Sequence, residues 1–413
     1  MGDKSYRVGV VGAGLVGEEI LRVLEERRFP LTELRIMARS GRVQELAGKQ
    51  RHIIETSPEA FDGLDIAIFA GTEGEAGASR LYGWDAVDRG VLVIDNGNDF
   101  RMDERVPLVV PEVNADALKN HRGFIANPNC STIQMVVALA PLHRAATIRR
   151  IVVCTYQSVS GTGRDGLRAL AEQRKAAAEQ READCGPYPH AIYDNVIPQV
   201  SSLRGDFPGY YAEEVKMILE TRKILGCPNL AVTATCVRVP VARSHSEAIN
   251  VEFERAISPD EAREILSRAP GITVVDDPAN SNYPLARDAA GKDAVYVGRI
   301  RKDPSRPNAL DLWCVADNIR KGAALNAIQI AEEMIQRVYQ VAKELSRLGK
   351  FVVMIGGEHS LSLGIVQALK EKIQDLCVLQ LDAHADLRDE YSGTRYSHAC
   401  VMRRILDLCP IVQ

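Results

Sequence analysis

A cysteine lies at the point where the sequence predicts that a helix begins. Residues 127–132 read Asn-Pro-Asn-Cys-Ser-Thr, and the apolar run 133–142 follows at once. Pro128 ends any preceding helix because the residue before a proline is pushed towards extended backbone, and the apolar run is typical of a buried helix. The thiol of Cys130 should then lie at a helix N-terminus, which lowers a thiol pKa and offers N–H groups to an oxyanion. An ordinary buried core thiol is the alternative, and this segment alone does not decide between the two.

A second motif with chemical meaning lies near the N-terminus. The apolar strand predicted at Tyr6–Val11 runs into Gly-x-Gly-x-x-Gly, and a helical stretch over residues 18–28 follows. In this context the glycines allow a tight turn and the close approach of a pyrophosphate, which rests on the helix N-terminus. The loop therefore predicts dinucleotide binding by Gly12, Ala13, Gly14, Leu15, Val16 and Gly17.

The end of the second predicted strand, over residues 33–38, indicates which dinucleotide binds. A cofactor without a 2′-phosphate usually meets an acidic residue there, but this chain offers Arg39 and Ser40, followed by Arg42. A guanidinium and a hydroxyl suit a 2′-phosphate, so these residues favour NADP over NAD. A solvated basic turn is the alternative interpretation.

The elements that must position these residues change character along the chain. Strands predicted at 65–70 and 91–95 continue the strand–helix alternation, which is typical of a doubly wound parallel sheet. From about residue 149, strands at 150–157, 231–239 and 248–253 are separated by long irregular stretches. This second pattern predicts an α+β substrate domain, and polar side chains lie where its strands end.

Composition narrows the class of protein. The 413 residues are enough for about two or three domains. No stretch reaches about 18 consecutive apolar residues, so we expect no membrane span, and a formal net charge of −4 argues against nucleic-acid binding. The nine cysteines are scattered without a Cys-x-x-Cys pair, and no secretory signal is visible, so we expect reduced thiols and a cytoplasmic location.

Longer runs of sequence resemble the aspartate-β-semialdehyde dehydrogenase family over about residues 5–335, in order and with family-like spacing. The strongest runs are NPNCSTIQ (127–134), TYQSVSGTG (155–163), VRVPVARSHSE (237–247) and ADNIRKGAALNAIQIAE (316–332). Three further runs are DNGNDFRMD (95–103), VPLVVPEVN (106–114) and EEVKMILETRKILG (213–226). The resemblance implies an α/β fold, with a Rossmann-type doubly wound sheet and an α+β substrate and dimerisation domain.

The resemblance also implies roles for matching positions. Cys130 would be the nucleophile that forms a thioester, His245 the general acid/base, and Gln157 the residue that orients the substrate. Arg238 would bind the substrate carboxylate, a task that suits a bidentate guanidinium. The remaining implied residues are Arg101 and Lys216 for phosphate with Glu213 one helical turn before Lys216, and Ser160, Gly161 and Asn318 near the nicotinamide. For Arg101 and Lys216 a solvated surface role is the alternative.

The implied activity is NADPH-dependent, reversible reductive dephosphorylation of L-aspartyl 4-phosphate to L-aspartate 4-semialdehyde, in lysine, threonine and methionine biosynthesis. The family usually forms homodimers, so we expect one here. A related acyl-phosphate reductase of the N-acetylglutamyl-phosphate type is the nearest alternative. The glycine loop of this chain is one residue shorter than the family's usual Gly-Ala-Thr-Gly-x-Val-Gly. It therefore lacks the threonine hydroxyl that would lie near the cofactor phosphates.

About 75 residues follow the dehydrogenase-like part, after one long helix, or two joined helices, predicted over 319–348. GGEHSLSLG (356–364), DAHADLRD (382–389) and SHACVMRR (397–404) resemble an incomplete ureohydrolase domain. His359, Asp382, His384 and Asp386 are the tentative metal ligands, suited to manganese. Manganese ureohydrolase activity of this segment is one alternative function, although the family's later Asp-x-Asp segment would lie beyond residue 413. A packing or oligomerisation element is the other alternative. We predict domains at 1–129 with 318–338, at 130–317 and at 339–413.

Overall fold

Two β-sheets organise the chain in the computed structural model, which describes residues 6–71, 74–335, 362–370, 373–380, 386–387 and 401–412. The helices are α1 Leu15–Glu26, α2 Ala78–Asp88, α3 Pro111–Asn114, α4 Cys130–Ala146, α5 Gly163–Ala178, α6 Ala212–Leu225, α7 Pro259–Ser267, α8 Ala286–Ala289, α9 over 325–335, α10 Ser362–Lys370 and α11 Val401–Leu406. The strands are β1 Tyr6–Val11, β2 Leu31–Ala38, β3 Arg42–Leu46, β4 Lys49–Glu55, β5 Ile66–Phe69, β6 Leu92–Asp95, β7 Phe124–Ala126, β8 Ile148–Gln157, β9 Ala231–Arg238, β10 His245–Phe253, β11 Ile272–Val274, β12 Val295–Lys302, β13 Ala309–Ala316, β14 Val378–Leu379 and β15 Ile411–Val412.

The first sheet has the order β3-β4-β2-β1-β5-β6-β7, and every pair except β3 with β4 is parallel. Its strands are apolar on both faces because helices cover both. Val8 of β1 shares one core with Ile20 of α1 and Ile328 of α9, whereas Phe69 of β5 shares the other with Ala86 of α2. This confirms the doubly wound sheet that the strand–helix alternation predicted.

The hairpin of β3 and β4 was not predicted. After the basic residues Arg39 and Ser40, the chain enters two antiparallel strands that extend the edge of the sheet beside β2. Ala47 and Gly48 form the two-residue turn with φ values of 53° and 73°, as a hairpin with right-handed twist requires. Leu46 and Ile53 are buried and anchor the hairpin to the core.

The second sheet is mixed, with the order β11-β12-β13-β10-β8-β9, and confirms the predicted α+β pattern. Helices α4, α6 and α7 pack on it. Inward residues such as Ile249 and Val251 are buried, while Tyr156 on the outward face is 37% exposed. The rings of Tyr156 and Trp313 lie 5.4 Å apart on that face.

A π-helical turn over Arg320–Ala324 joins β13 to α9. The helical stretch predicted from residue 319 is observed as this π-helical turn followed directly by α9, and its part beyond residue 335 lies outside the described residues. A Cβ on Gly322 would lie 2.8 Å from the Cβ of Cys130, so the turn packs directly on the start of α4. Lys321 is buried and donates to both carboxylate oxygens of Glu112, at 2.8 and 2.7 Å. The turn thus fixes the chain next to Cys130.

The described C-terminal residues form a small separate cluster. β14 pairs in parallel with β15, and Val366, Val401, Met402 and Ile405 share a core. Within the apolar run 376–381, the described residues form a strand at Val378–Leu379, and the apolar run 351–356 lies outside the described residues. The predicted domain boundaries stay a prediction. In the part of the chain that the structure describes, no helix has the length and apolarity that a bilayer crossing requires.

Candidate active site

Cys130 is the first residue of α4, as the sequence predicts. The side-chain oxygen of Asn129 caps the helix and accepts from the backbone N–H groups of Ser131 at 3.0 Å and Thr132 at 3.1 Å. A capping asparagine satisfies donors that the first turn of a helix leaves open. This cap fixes where the Cys130 side chain starts.

Helix α6 supplies two buried carboxylates that hold this cap. Glu213 accepts from the side-chain amide of Asn129 at 2.8 Å and from Gln157 at 3.2 Å. Glu220 accepts from the backbone N–H of Asn129 at 2.7 Å. Gln157 also donates to the hydroxyl of Ser131 at 3.0 Å, so β8, α4 and α6 are joined around Cys130. The sequence analysis missed Glu220, because nothing in its own helix indicates which carboxylate turns inward.

The predicted phosphate-binding cations reach the same cleft. Arg101 is buried and donates to Glu220 at 3.0 Å and to the carbonyl of Asn96 at 2.7 Å. Lys216 lies 3.8 Å from Glu213, which confirms the predicted one-turn spacing. Lys223, which the sequence analysis also missed, donates at 2.7–2.9 Å to three backbone carbonyls of the loop that carries Arg101. The loop is therefore held from α6.

His245 begins β10 and is fully buried. Its Nδ1 accepts from the backbone N–H of Ser158 at 3.0 Å, so the neutral ring carries its proton on Nε2. Within the described residues Nε2 has no hydrogen-bond partner, and a Cβ on Gly161 would lie 3.3 Å from it. Burial and the positive charge of Arg238 hold the pKa of His245 well below its usual value. The ring is therefore neutral, and its Nε2 lies beside Gly161, which lines the cleft.

The residues around His245 are held by polar contacts from three directions. Asn318 accepts from the hydroxyls of Ser158 at 3.1 Å and Ser160 at 3.0 Å, and from the backbone N–H of Ser244 at 3.0 Å. Arg238 donates to the carbonyl of Ser158 at 2.7 Å. Ser158 therefore contacts His245 directly, and Ser160, Asn318 and Arg238 are each hydrogen-bonded to Ser158.

An ion network ties the loop before His245 to the nucleotide-binding helix. Arg243 donates to Asp317 at 2.5 Å and lies 3.0 Å from Glu19 of α1. Glu19 is buried and also lies 3.2 Å from Arg320 of the π-helical turn. The sequence analysis missed these residues, since their partners are far apart in the chain.

The Cys130 thiol has a raised pKa, of about 12, so the expected lowered pKa is wrong for the free site. Burial is the main cause and the negative charge of Glu213 is the next, and both disfavour the thiolate. Arg101, Arg238 and the N–H of Ser131 act in the opposite direction without outweighing them.

The glycine loop lies at the other end of the cleft, between β1 and α1. Gly12 has φ +114°, and a Cβ on Gly17 would lie 1.9 Å from the carbonyl oxygen of Gly12, so both positions require glycine. Gly14 is the N-cap of α1, and no side chain of the described residues caps this helix. The cleft has a volume of about 1250 Å³ and runs from this loop to Cys130. The loop therefore fits a dinucleotide pyrophosphate.

The edge of this cleft carries both signs of charge. Arg39 and Ser40 are exposed after β2, as predicted. Glu55 ends β4, pairs in register with Ala38 and lines the cleft together with Arg39. The sequence analysis missed Glu55 because β4 was not predicted. A carboxylate there can accept from ribose hydroxyls, while the guanidinium suits a 2′-phosphate.

Of the tentative metal ligands, His359, Asp382 and His384 lie outside the described residues. The backbone carbonyl of Asp386 accepts from the N–H groups of Met402 at 3.1 Å and Arg403 at 3.3 Å. Within the described ranges, no three or more potential ligands gather as a metal site. The manganese prediction therefore receives no support.

Three family models match the chain. The NAD binding domain of semialdehyde dehydrogenases matches residues 7–121, and their dimerisation domain matches residues 139–321. The arginase family model matches residues 304–413.

Curated relatives and solved structures agree with the first two models. The chain is 49% identical over 341 residues to an aspartate-semialdehyde dehydrogenase of Aquifex aeolicus, over 80% of this chain and 98% of the relative. It is 43% identical over 343 residues to the enzyme of Bacillus subtilis, over 80% and 98%. The crystal structure of aspartate semialdehyde dehydrogenase II from Vibrio cholerae is similar with a TM-score of 0.76 and 42% identity, over 81% of this chain and 99% of that one. The same Vibrio enzyme has also been solved as a complex with ASA.

Proposed function

Because the chain belongs to the aspartate-semialdehyde dehydrogenase family, we propose that it reduces L-aspartyl 4-phosphate to L-aspartate 4-semialdehyde with NADPH, and catalyses the reverse reaction. The observation that carries this proposal is the placement of Cys130 at the start of α4, in one cleft with the glycine loop, Arg238 and Lys216. One cleft then contains a nucleophile, cationic side chains that suit anionic groups, and a loop that suits a dinucleotide.

Cys130 forms the covalent intermediate in this proposal. Its sulfur attacks the acyl carbon, the bond between that carbon and the phosphate oxygen breaks, and the thiol proton leaves with the phosphate. Arg101 and Lys216 place positive charge where the phosphate departs. Arg238, held by the carbonyl of Ser158, is positioned to bind the substrate carboxylate. This assignment needs no resting thiolate, in agreement with the raised pKa of Cys130.

When bound, the nicotinamide cofactor supplies the hydride that converts the thioester to a thiohemiacetal anion. The Nε2–H of His245 is the donor for that developing oxyanion. As the carbon–sulfur bond breaks and the aldehyde leaves, the sulfur takes up one proton from solvent, relayed by His245, so the thiol is restored and the ring is neutral before and after the step. The backbone N–H of Ser158 holds the ring in this tautomer.

We also propose that two chains pair through the outward face of the second sheet, where the rings of Tyr156 and Trp313 lie next to each other at an interplanar angle of 47°. The match to a dimerisation domain over residues 139–321 supports this assembly. Sedimentation of the whole chain should give twice the monomer mass, and a monomer at micromolar concentration would contradict it.

The function is tested by assaying the purified chain in the oxidative direction, with phosphate and NADP. L-aspartate semialdehyde should be oxidised at least about tenfold more efficiently than N-acetylglutamate semialdehyde, because the acylated amine of the latter must displace groups around Arg238. NADP should serve better than NAD because of Arg39. Preference for the acetylated substrate would instead favour the alternative function, an acyl-phosphate reductase of the N-acetylglutamyl-phosphate type.

A further inference from the structure

Arg164 crosses from the substrate-binding half of the molecule to the glycine loop. It is the second residue of α5, directly after the segment that packs on His245. Its Nη2 donates to Glu18 in the first turn of α1 at 2.7 Å, and its Nη1 donates to the carbonyl of Ala13 at 3.3 Å. The guanidinium therefore lies beside the turn on which a pyrophosphate would rest.

Glu18 does not depend on Arg164 for charge compensation. The other oxygen of its carboxylate accepts from Arg22 at 2.7 Å and from the backbone N–H of Ala47 at 3.3 Å. These contacts and the bond to Arg164 hold the pKa of Glu18 below its usual value, against the opposing effect of burial. Arg164 can exchange its bond to Glu18 for another anion without leaving a carboxylate unpaired.

The glycine loop needs such a cation. A helix N-terminus offers only about half a positive charge, whereas a pyrophosphate carries two negative charges. The side chain of Arg164 is 39% exposed and lines the cleft, and two of its N–H groups make the contacts above. Asp165 also lines the cleft, but it is exposed and lies 3.3 Å from Arg168. A guanidinium fork matches phosphate oxygens better than an ammonium does.

We propose that Arg164 is a cofactor-binding residue that bonds the pyrophosphate of the nicotinamide dinucleotide from the substrate-binding side of the cleft. This inference rests on the proposed function, which places a dinucleotide on the glycine loop. It assigns to an arginine of α5 the polar contact that the shortened glycine loop does not provide from its own side chains.

The test measures dissociation constants of NADPH and of ADP-ribose, which has the pyrophosphate but neither nicotinamide nor 2′-phosphate. Arg164→Ala should weaken both by roughly tenfold or more, the value expected for a hydrogen bond between charged groups. Arg164→Lys should lose less. Arg168→Ala is the matched control, since Arg168 lies one turn further on the same helix and is exposed, and it should bind like the wild type.

Glu18→Gln distinguishes a direct contact from an indirect one. If Arg164 binds phosphate, releasing it from Glu18 should leave ADP-ribose binding unchanged or tighter. Binding of Arg164→Ala within twofold of the wild type overturns the inference, and so does an equal loss in Glu18→Gln, since Arg164 would then act only through Glu18. Failure of the wild type to bind either probe would instead contradict the proposed function. Unfolding temperatures of all variants, with Arg164→Lys as the milder change, check that each is folded.

Discussion

The two ends of the cleft are built in different ways. At the glycine loop, backbone geometry makes the site, because Gly12 has a φ of +114°, Gly17 leaves no room for a Cβ, and α1 begins without a side-chain cap from the described residues. At Cys130, buried charged side chains make the site, because Glu213 and Glu220 hold the helix cap and Arg101 lies against Glu220. A backbone site is sensitive to added atoms, whereas a side-chain site is sensitive to lost charge. Substitutions that add atoms should therefore impair the glycine-loop end, and substitutions that remove charge should impair the Cys130 end.

The largest effect is expected from breaking the buried pair at the Cys130 end. Glu220→Ala leaves Arg101 buried without its carboxylate and removes the acceptor for the backbone of Asn129. The free energy of unfolding should fall by about 3–5 kcal/mol, the usual penalty for an uncompensated buried charge. Urea unfolding measures it. Glu264→Ala, which removes an exposed pair with Arg268, should change it by less than about 1 kcal/mol. An equal effect of both substitutions would contradict the comparison.

The next largest effect is expected at the glycine-loop end of the cleft, where backbone geometry forms the site. Gly17→Ala places a methyl group 1.9 Å from the carbonyl oxygen of Gly12, so the turn must open and NADPH should bind roughly a hundredfold more weakly, as for a lost preorganised anion site. Gly205→Ala is the matched control, because Gly205 is exposed, is not among the residues that line the cleft, and its Cβ would meet nothing within 4 Å. Fluorescence titration with NADPH distinguishes the two. Similar losses in both variants would show that side-chain space at Gly17 does not control the loop.

The smallest effect is a shift in thiol reactivity. The negative charge of Glu213 is one cause of the raised pKa of Cys130. Glu213→Gln removes that charge, so the thiolate becomes easier to form and the pKa should fall by about one unit. Alkylation by iodoacetamide requires thiolate, so its rate at fixed pH should rise and its pH midpoint should move down. Glu214→Gln is the control, because the neighbouring carboxylate bonds Tyr211 and Cys236 instead. A higher pKa of Cys130 in the Glu213→Gln variant would contradict this account.

Local patterns predicted the elements that carry the site. The strand at Tyr6–Val11, the helix that starts at Cys130 and the strand that ends at Gln157 each follow from periodicity and punctuation over a few residues. The hairpin of β3 and β4 was not predicted because its turn, Ala47-Gly48, lacks the asparagine or aspartate that marks such turns. Glu55 was missed with it.

The contacts between elements could not be predicted in the same way. Arg164 meets Glu18 across 146 residues of sequence, and Glu220 meets Asn129 across 91. Their own helices give no sign of these partners. The pKa of Cys130 was predicted in the wrong direction for the same reason. A helix N-terminus is visible in the sequence, but the burial of the thiol and its distance from Glu213 arise only from the tertiary fold.

The most direct test of the central claim, a thioester on Cys130, is a burst experiment without phosphate. With L-aspartate semialdehyde and NADP alone, the account predicts one NADPH per active site in a rapid burst, because the acyl group then has no phosphate to accept it. Mass spectrometry after digestion should find the acyl group on the peptide that contains Cys130. Added phosphate should release the acyl group and restore turnover. A full burst in Cys130→Ala, or steady turnover of the wild type without phosphate, would contradict the account.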